Sequence, residues 1–269
     1  MKYKFLISFL GLFLLLGCEE PLNWNLQQGN SDLIVVESVL TNENKNQLVR
    51  LTKPYDEQNQ TPQPVSGALV TIKTSSKATL TLEYPPGSGL YFTDSSRALA
   101  GKLYTLTIVY NGKTYFASAS QPAVEPLPEL SYRKTADGLY TLNFTESGQE
   151  ANYIEYYLSW QHLEGCTNPP DCRAKVIYYD LKNVDVNKQF KPDQEQVEFP
   201  AGTIVLRKKY SVSKAYGEYL RGMLSETAWR GGAFDVIPAN APTNLSEGAV
   251  GFFAVSTVVS DTTVITDLP

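Results

Sequence analysis

Leu103-Tyr-Thr-Leu-Thr-Ile-Val-Tyr110, Asn111-Gly112 and Lys113-Thr-Tyr-Phe-Ala-Ser-Ala119 read in order as strand, turn and strand. Bulky residues recur at every second position, the period that lines one face of a pleated strand. Asn-Gly supplies the two positive φ angles of a type I′ turn, whose twist matches the flanking strands. A two-residue turn sets the register, so Ile108 is expected opposite Tyr115 and Leu106 opposite Ala117. The fold is therefore expected to be mainly β.

Upstream the texture is the same. Asp32 to Thr41 and Leu48 to Thr52 read as neighbouring strands, and Pro54 to Pro64 as a Gln/Pro-containing loop. Ala68 to Thr74 and Ala78 to Tyr84 alternate as half-buried strands do, and Leu90 to Thr93 resumes after a turn. These segments predict an immunoglobulin-like β-sandwich domain over residues 32–122. Three prolines between Gln121 and Pro128 cannot donate to a ladder, so residues 123–130 are expected to be a linker.

A second β-rich domain with one short helix is expected over residues 131–269. Asp137-Gly138 is the expected turn between Ser131–Ala136 and Leu139–Thr145. Tyr153 to Trp160 alternates, with Ile154, Tyr156, Leu158 and Trp160 on one face. Val176–Tyr179 and Thr203–Arg207 are further strands, and Ala249–Val259 reads as one long apolar strand. The helix is expected near 213–225, with Ser213 as cap and Tyr216, Tyr219/Leu220 and Met223/Leu224 at helical spacing. Gly217 and Gly222 each cost about 1 kcal/mol against Ala, so this helix needs tertiary support.

Composition narrows the function. With 23 Lys+Arg against 28 Asp+Glu the net charge is −5, which disfavours nucleic-acid binding because phosphate neutralisation needs a basic face. One His and two Met leave little for His-rich metal chemistry or a haem, and no cofactor is expected.

The first residues read as an address. Lys2 and Lys4 precede the apolar run Phe5–Leu16, which rises about 18 Å as a helix and is too short for a hydrocarbon core of roughly 30 Å. Residues 1–17 are expected to be a secretory signal peptide. Leu15-Leu16-Gly17-Cys18 resembles a bacterial lipobox, with Leu16 where Ala or Ser is commoner, and marks Cys18 for lipidation. The alternative is an ordinary signal peptide with an incidental Cys. Glu19-Glu20 opens an acidic, polar tether over 18–31, resembling a surface-export signal or simply starting a solvated linker. Cleavage before Cys18 removes Lys2 and Lys4 and takes the charge from −5 to −7, so anchoring would rest on acyl chains rather than on attraction to anionic lipid.

Cys166 and Cys172, five residues apart in an oxidising compartment, are expected to form a disulfide stapling a loop with Pro169 and Pro170. A zinc site with His162 is the sharper alternative, but it lacks a fourth ligand or supporting shell in the sequence. No Gly-rich phosphate loop and no Gly-x-Ser-x-Gly elbow occur, so no catalytic residue is assigned. Asp193, Glu195 and Glu198 cluster in a polar stretch that reads first as a solvated face. Aromatics between Tyr153 and Trp229 serve core packing or, for a subset, ligand contact. The candidate contacts for a glycan or peptide are Tyr153, Tyr157, Tyr178, Tyr179 and Trp229.

Taken together, the chain resembles a Bacteroidota lipoprotein family known as domain of unknown function 4249. The residues that carry the resemblance are the acidic lipoprotein start, Leu33-Ile-Val-Val-Glu-Ser-Val-Leu-Thr-Asn42 and Pro64-Val-Ser-Gly-Ala-Leu-Val-Thr-Ile72. Gly89-Leu-Tyr91, Gly101-Lys-Leu-Tyr-Thr-Leu106 and Gly112-Lys-Thr-Tyr115 extend it. Ala233-Phe-Asp-Val236, Pro242-Thr-Asn-Leu-Ser246 and Gly248-Ala-Val-Gly-Phe-Phe253 complete it. Pro64 to Leu106 also looks like a carboxypeptidase-regulatory-like sandwich. The resemblance implies an outer-membrane lipoprotein, lipid-anchored and facing the periplasm or the cell exterior, near a TonB-dependent receptor. It implies no established activity. The expected function is a non-enzymatic accessory that assists ligand capture or uptake; an adhesin or envelope-assembly component is the alternative, and a secreted hydrolase the third.

Overall fold

The computed structural model describes residues 33–54, 60–145, 148–181, 196–227 and 241–267. The expected signal peptide, the tether 18–31, Cys18, Trp229 and the Ala233–Val236 signature lie outside the described residues.

The hairpin forms as its sequence dictates. β6 (Leu103–Tyr110) and β7 (Lys113–Ser120) pair antiparallel with Ile108 opposite Tyr115 and Leu106 opposite Ala117. Asn111 and Gly112 take φ of 49° and 74°, the left-handed pair of a type I′ turn. β3 (Leu69–Thr74) and β4 (Thr79–Thr81) complete this sheet in the order β4-β3-β6-β7. A second sheet, β13-β1-β2-β5, faces it, built from β1 (Ile34–Thr41), β2 (Lys45–Thr52), β5 (Leu90–Ser96) and β13 (Ala249–Ser256). Val36, Leu51, Tyr91 and Phe253 from one sheet meet Val70, Ile72, Leu106, Ile108 and Tyr115 from the other in a common core. Each fully buried aliphatic side chain there contributes about 1.5–3 kcal/mol.

The strand expected over Ala78–Tyr84 is shorter. After Thr81, Leu82 still donates its N–H to Val70, but Glu83 exchanges both backbone bonds with Phe92 of β5. The chain leaves one sheet for the other there, which ends the ladder.

The third sheet, β11-β10-β12-β14, comprises β10 (Asn152–Ser159), β11 (Arg173–Asp180), β12 (Ile204–Ser211) and β14 (Val258–Val264). One face carries Ile154, Tyr156, Leu158, Val176 and Val205. It is covered by the hairpin β8 (Tyr132–Lys134) and β9 (Tyr140–Leu142), which turns at Asp137-Gly138, and by Phe199. The Pro-rich linker is buckled onto the same face. Arg207, Lys209 and Ser211 alternate along β12 and donate to the carbonyls of Pro128, Pro126 and Pro122 at 2.8, 3.2 and 3.1 Å. Proline has no N–H, so a Pro-rich segment cannot join a ladder through its prolines, and its carbonyls are left for side-chain donors. These acceptors offset part of the cost of burying Arg207 and Lys209, cations only 3% and 1% exposed. Arg207 also holds Asp261 of β14 in a bidentate pair.

Helix α1 (Lys214–Thr227) starts where expected, with the Ser213 hydroxyl accepting the Tyr216 N–H at 3.3 Å. Tyr216, Leu220 and Leu224 are buried on its inner face. Tyr216 and Leu220 pack with Phe252 and Ala254 of β13 and with Tyr153 and Tyr210 of the third sheet. This is the tertiary support that its two glycines require.

Two further expectations need correction. Ala249–Val259 is two strands, not one: β13 pairs in parallel with β1, and β14 pairs antiparallel with β12. The change of sheet is pinned at Thr257, whose hydroxyl donates to Pro122 at 2.6 Å and whose N–H bonds the Ser211 hydroxyl at 2.8 Å. Residues 131–269 therefore do not close on themselves as a separate domain, because β13 is an edge strand of the N-terminal sandwich. The Lys208–Glu43 ion pair at 2.5 Å and the Asn42 amide on Val258 add further ties, and the described residues form one compact unit.

Candidate functional site

The odd-numbered positions of β10 set the site. Tyr153, Glu155 and Tyr157 point away from the Ile154 face, and the register places Tyr179, Ile177 and Lys175 beside them on β11 and Tyr210, Lys208 and Leu206 on β12. Alternation thus delivers an aromatic, charged surface on the reverse of the core.

Glu155 is its centre. Its carboxylate accepts from the Tyr157 hydroxyl at 2.7 Å, the Lys175 ammonium at 2.6 Å and the Tyr210 hydroxyl at 3.0 Å. Burial works to raise the Glu155 pKa, but these donors, Lys175 first, outweigh it and hold the carboxyl below the usual range. Burial alone would depress Lys175, and its bond to Glu155 reverses this so that the ammonium is held more firmly. Lys175 also sits over the Tyr157 ring at 5.0 Å from its centroid. Beside this cluster Tyr153 stacks on Tyr210 at 4.6 Å and tilts against Tyr179 at 5.7 Å, and α1 closes over them with Tyr216. Burial pushes Tyr153, Tyr210 and Tyr216 well above the ordinary phenol range, so all three stay neutral. The arrangement is an ion pair whose carboxylate is held by three donors among neutral phenols, an assembly that braces the sheet and presents polar and aromatic groups beside it.

The expected aromatic contacts divide. Tyr178 is 7% exposed, on the opposite face of the sheet, and stacks on Phe144 in the core. Tyr153 is 8% exposed beneath α1. Neither offers a free ring, because each is already sandwiched by neighbours. Tyr157 and Tyr179 are half-buried on the site face. Cys166 and Cys172 are disulfide-bonded, with Cα atoms 6.0 Å apart. The staple shapes the β10–β11 connection, an exposed projection with a single 3-10 turn at Pro169–Asp171 where Asn168 bonds Asp171 at 2.7 Å. His162 is exposed on this loop. Among the described residues, no three His, Cys, Asp or Glu side chains gather to hold a metal, and no helix is long and apolar enough to cross a membrane.

Glu155, Lys175, Lys208 and Tyr210 were not singled out from sequence. The signal was present: once Ile154 and Tyr156 are placed in the core, Tyr153, Glu155 and Tyr157 must share the other face. Their partners come from strands about 20 and 50 residues away, whose register no local pattern specifies.

No protein of curated function matches the chain. Among solved structures, a two fibronectin type-III domain segment from chicken tenascin is similar, at 14% identity over 66% of this chain and 89% of that one. Its TM-score of 0.20 is too low to bear on the arrangement described above. The family described as domain of unknown function (DUF4249) matches residues 19–262, nearly the whole length of the chain. The chain belongs to that family.

Proposed function

We propose that this protein is a lipid-anchored outer-membrane lipoprotein, exposed at the surface, that acts without catalysis as an accessory to a TonB-dependent receptor in capturing an extracellular glycan or peptide. The observation that carries the reading is Cys18, placed one residue after an apolar run too short to span a bilayer. A braced β body supports it, since Arg207, Lys209 and the disulfide-stapled projection would hold a contact surface in shape. Tyr157 and Tyr179, with the loop from Gln161 to Asp171, are the proposed contact region.

Changing Cys18 to Ala tests the anchor, and the expected outcome is an unprocessed or mislocalised chain on membrane fractionation. Unchanged fractionation would refute lipidation. The receptor link is tested by co-purification from detergent-solubilised outer membranes, where recovery without any receptor under several growth conditions would overturn it. Protease shaving of intact cells distinguishes the exterior from the periplasmic face.

A further inference from the structure

We infer that β14 is a dimerisation edge, along which a second copy of this chain adds its own β14 antiparallel. The other long sheet edges in the described residues are engaged over at least part of their length. Residues 243–246 join β7 to β13, with Leu245 bridged to Ala117 and the Asn244 amide bonded both ways to Phe253. β4 is only three residues long, the chain just beyond it bridges Glu83 to Phe92 of β5, and Ile177 to Asp180 of β11 each have a further interaction.

β14 differs. The backbone N–H and C=O of Val258 both bond the Asn42 side chain, at 2.7 and 3.1 Å, so they point away from β12. In an antiparallel ladder this direction alternates, so Ser260, Thr262 and Val264 also direct their backbone groups outward. No hydrogen bond to those groups is found among the described residues, and all three residues are exposed. Asn42 thus occupies the first rung, and three rungs stay open.

The edge carries little of the usual protection: between Val258 and Val264 there is no Pro, Lys or Arg, Asn42 covers only the first rung, and the single charge, Asp261, is turned to the core side and held by Arg207. A two-fold axis at Thr262 makes three reciprocal pairs: Ser260 with Val264, Thr262 with Thr262, and Val264 with Ser260. Thr against Thr is a favourable cross-strand pair, and Asp261 then lies opposite Thr263. Moving the axis to Asp261 would oppose two carboxylates and lose a rung. The edge therefore selects one register with its own copy, and the two four-stranded sheets become one continuous sheet.

Full-length protein purified in mild detergent is examined by sedimentation velocity over the micromolar to high-micromolar range, beside Thr262→Pro and Thr262→Lys. A concentration-dependent dimer is expected for the parent chain and its loss in both variants. The Thr262 N–H takes no part in the β12 ladder, so Pro is compatible with the monomer fold there, and unchanged circular dichroism checks this. Should the Pro variant misfold, the Lys variant decides, because it sets two ammonium groups face to face on exposed positions. A parent chain that stays monomeric throughout, or a dimer that survives the substitution, overturns the inference. So does a monomer carrying a foreign polypeptide that Thr262→Pro releases, which would give the edge to another protein's strand.

Discussion

Gly251 lies in β13 opposite Val36 of β1, in the parallel ladder that returns the chain to the N-terminal sandwich. Its φ is +96°, and a Cβ built there collides with the backbone carbonyl oxygen of Val36. Gly251→Ala therefore carries two costs. Holding an L residue in that conformation costs about 1–3 kcal/mol. Overpacking against a backbone atom, which no rotamer change can relieve, adds about 1–3 kcal/mol. The reduced entropy of the unfolded chain offsets about 0.5–1 kcal/mol. The net expectation is a loss of about 3 kcal/mol, a large share of the roughly 5–15 kcal/mol that a domain has. Gly112→Ala is the control: its φ is +74° and nothing lies within 4 Å of its Cβ, so strain acts alone and about 1 kcal/mol is expected. Urea denaturation followed by circular dichroism gives both values with m held comparable. If Gly251→Ala proves no more costly than Gly112→Ala, the close approach of β13 to β1 is wrong, and so is the placement of β13 beside β1 in the N-terminal sandwich.

Glu155 stabilises the fold only while ionised. Its folded pKa lies below the ordinary 4.5, so its contribution is present above that value and is lost as pH falls through the lowered one. Glu155→Gln should cost about 2 kcal/mol at neutral pH by weakening three donor contacts, and should flatten the acid limb of a stability-against-pH series; an unaltered acid limb would show that the pair does not couple to folding. Replacing both Cys166 and Cys172 by Ser opens a loop with a sequence separation of 6, which on chain entropy should cost about 2–3 kcal/mol and leave a folded protein. Failure of that variant to fold would mean the disulfide organises the third sheet rather than its projection alone.

Much of the candidate site was legible as composition but not as geometry. Alternation along Tyr153–Trp160 assigns Ile154, Tyr156 and Leu158 to one face, and the structure agrees. It cannot say that Tyr178, on a neighbouring strand, joins that core whereas Tyr179 joins Glu155, because a shift of one residue in strand register exchanges the two. Nor can it foresee that α1 buries Tyr153, since the helix arrives from a part of the chain about 60 residues later.

Sequence by itself determined the elements whose partners are close in the chain. The Asn111-Gly112 hairpin, the Asp137-Gly138 hairpin, the Ser213-capped helix and the Cys166–Cys172 staple each depend on turn chemistry or spacing over a few residues. Only tertiary structure decided that the apolar run from Ala249 splits at Thr257 and serves two sheets. A continuous apolar pattern reports burial and carries no record of which strand lies alongside; that choice belongs to Val36, Ser211, Pro122 and Asn42, which the chain brings to Thr257 and its neighbours from three distant places.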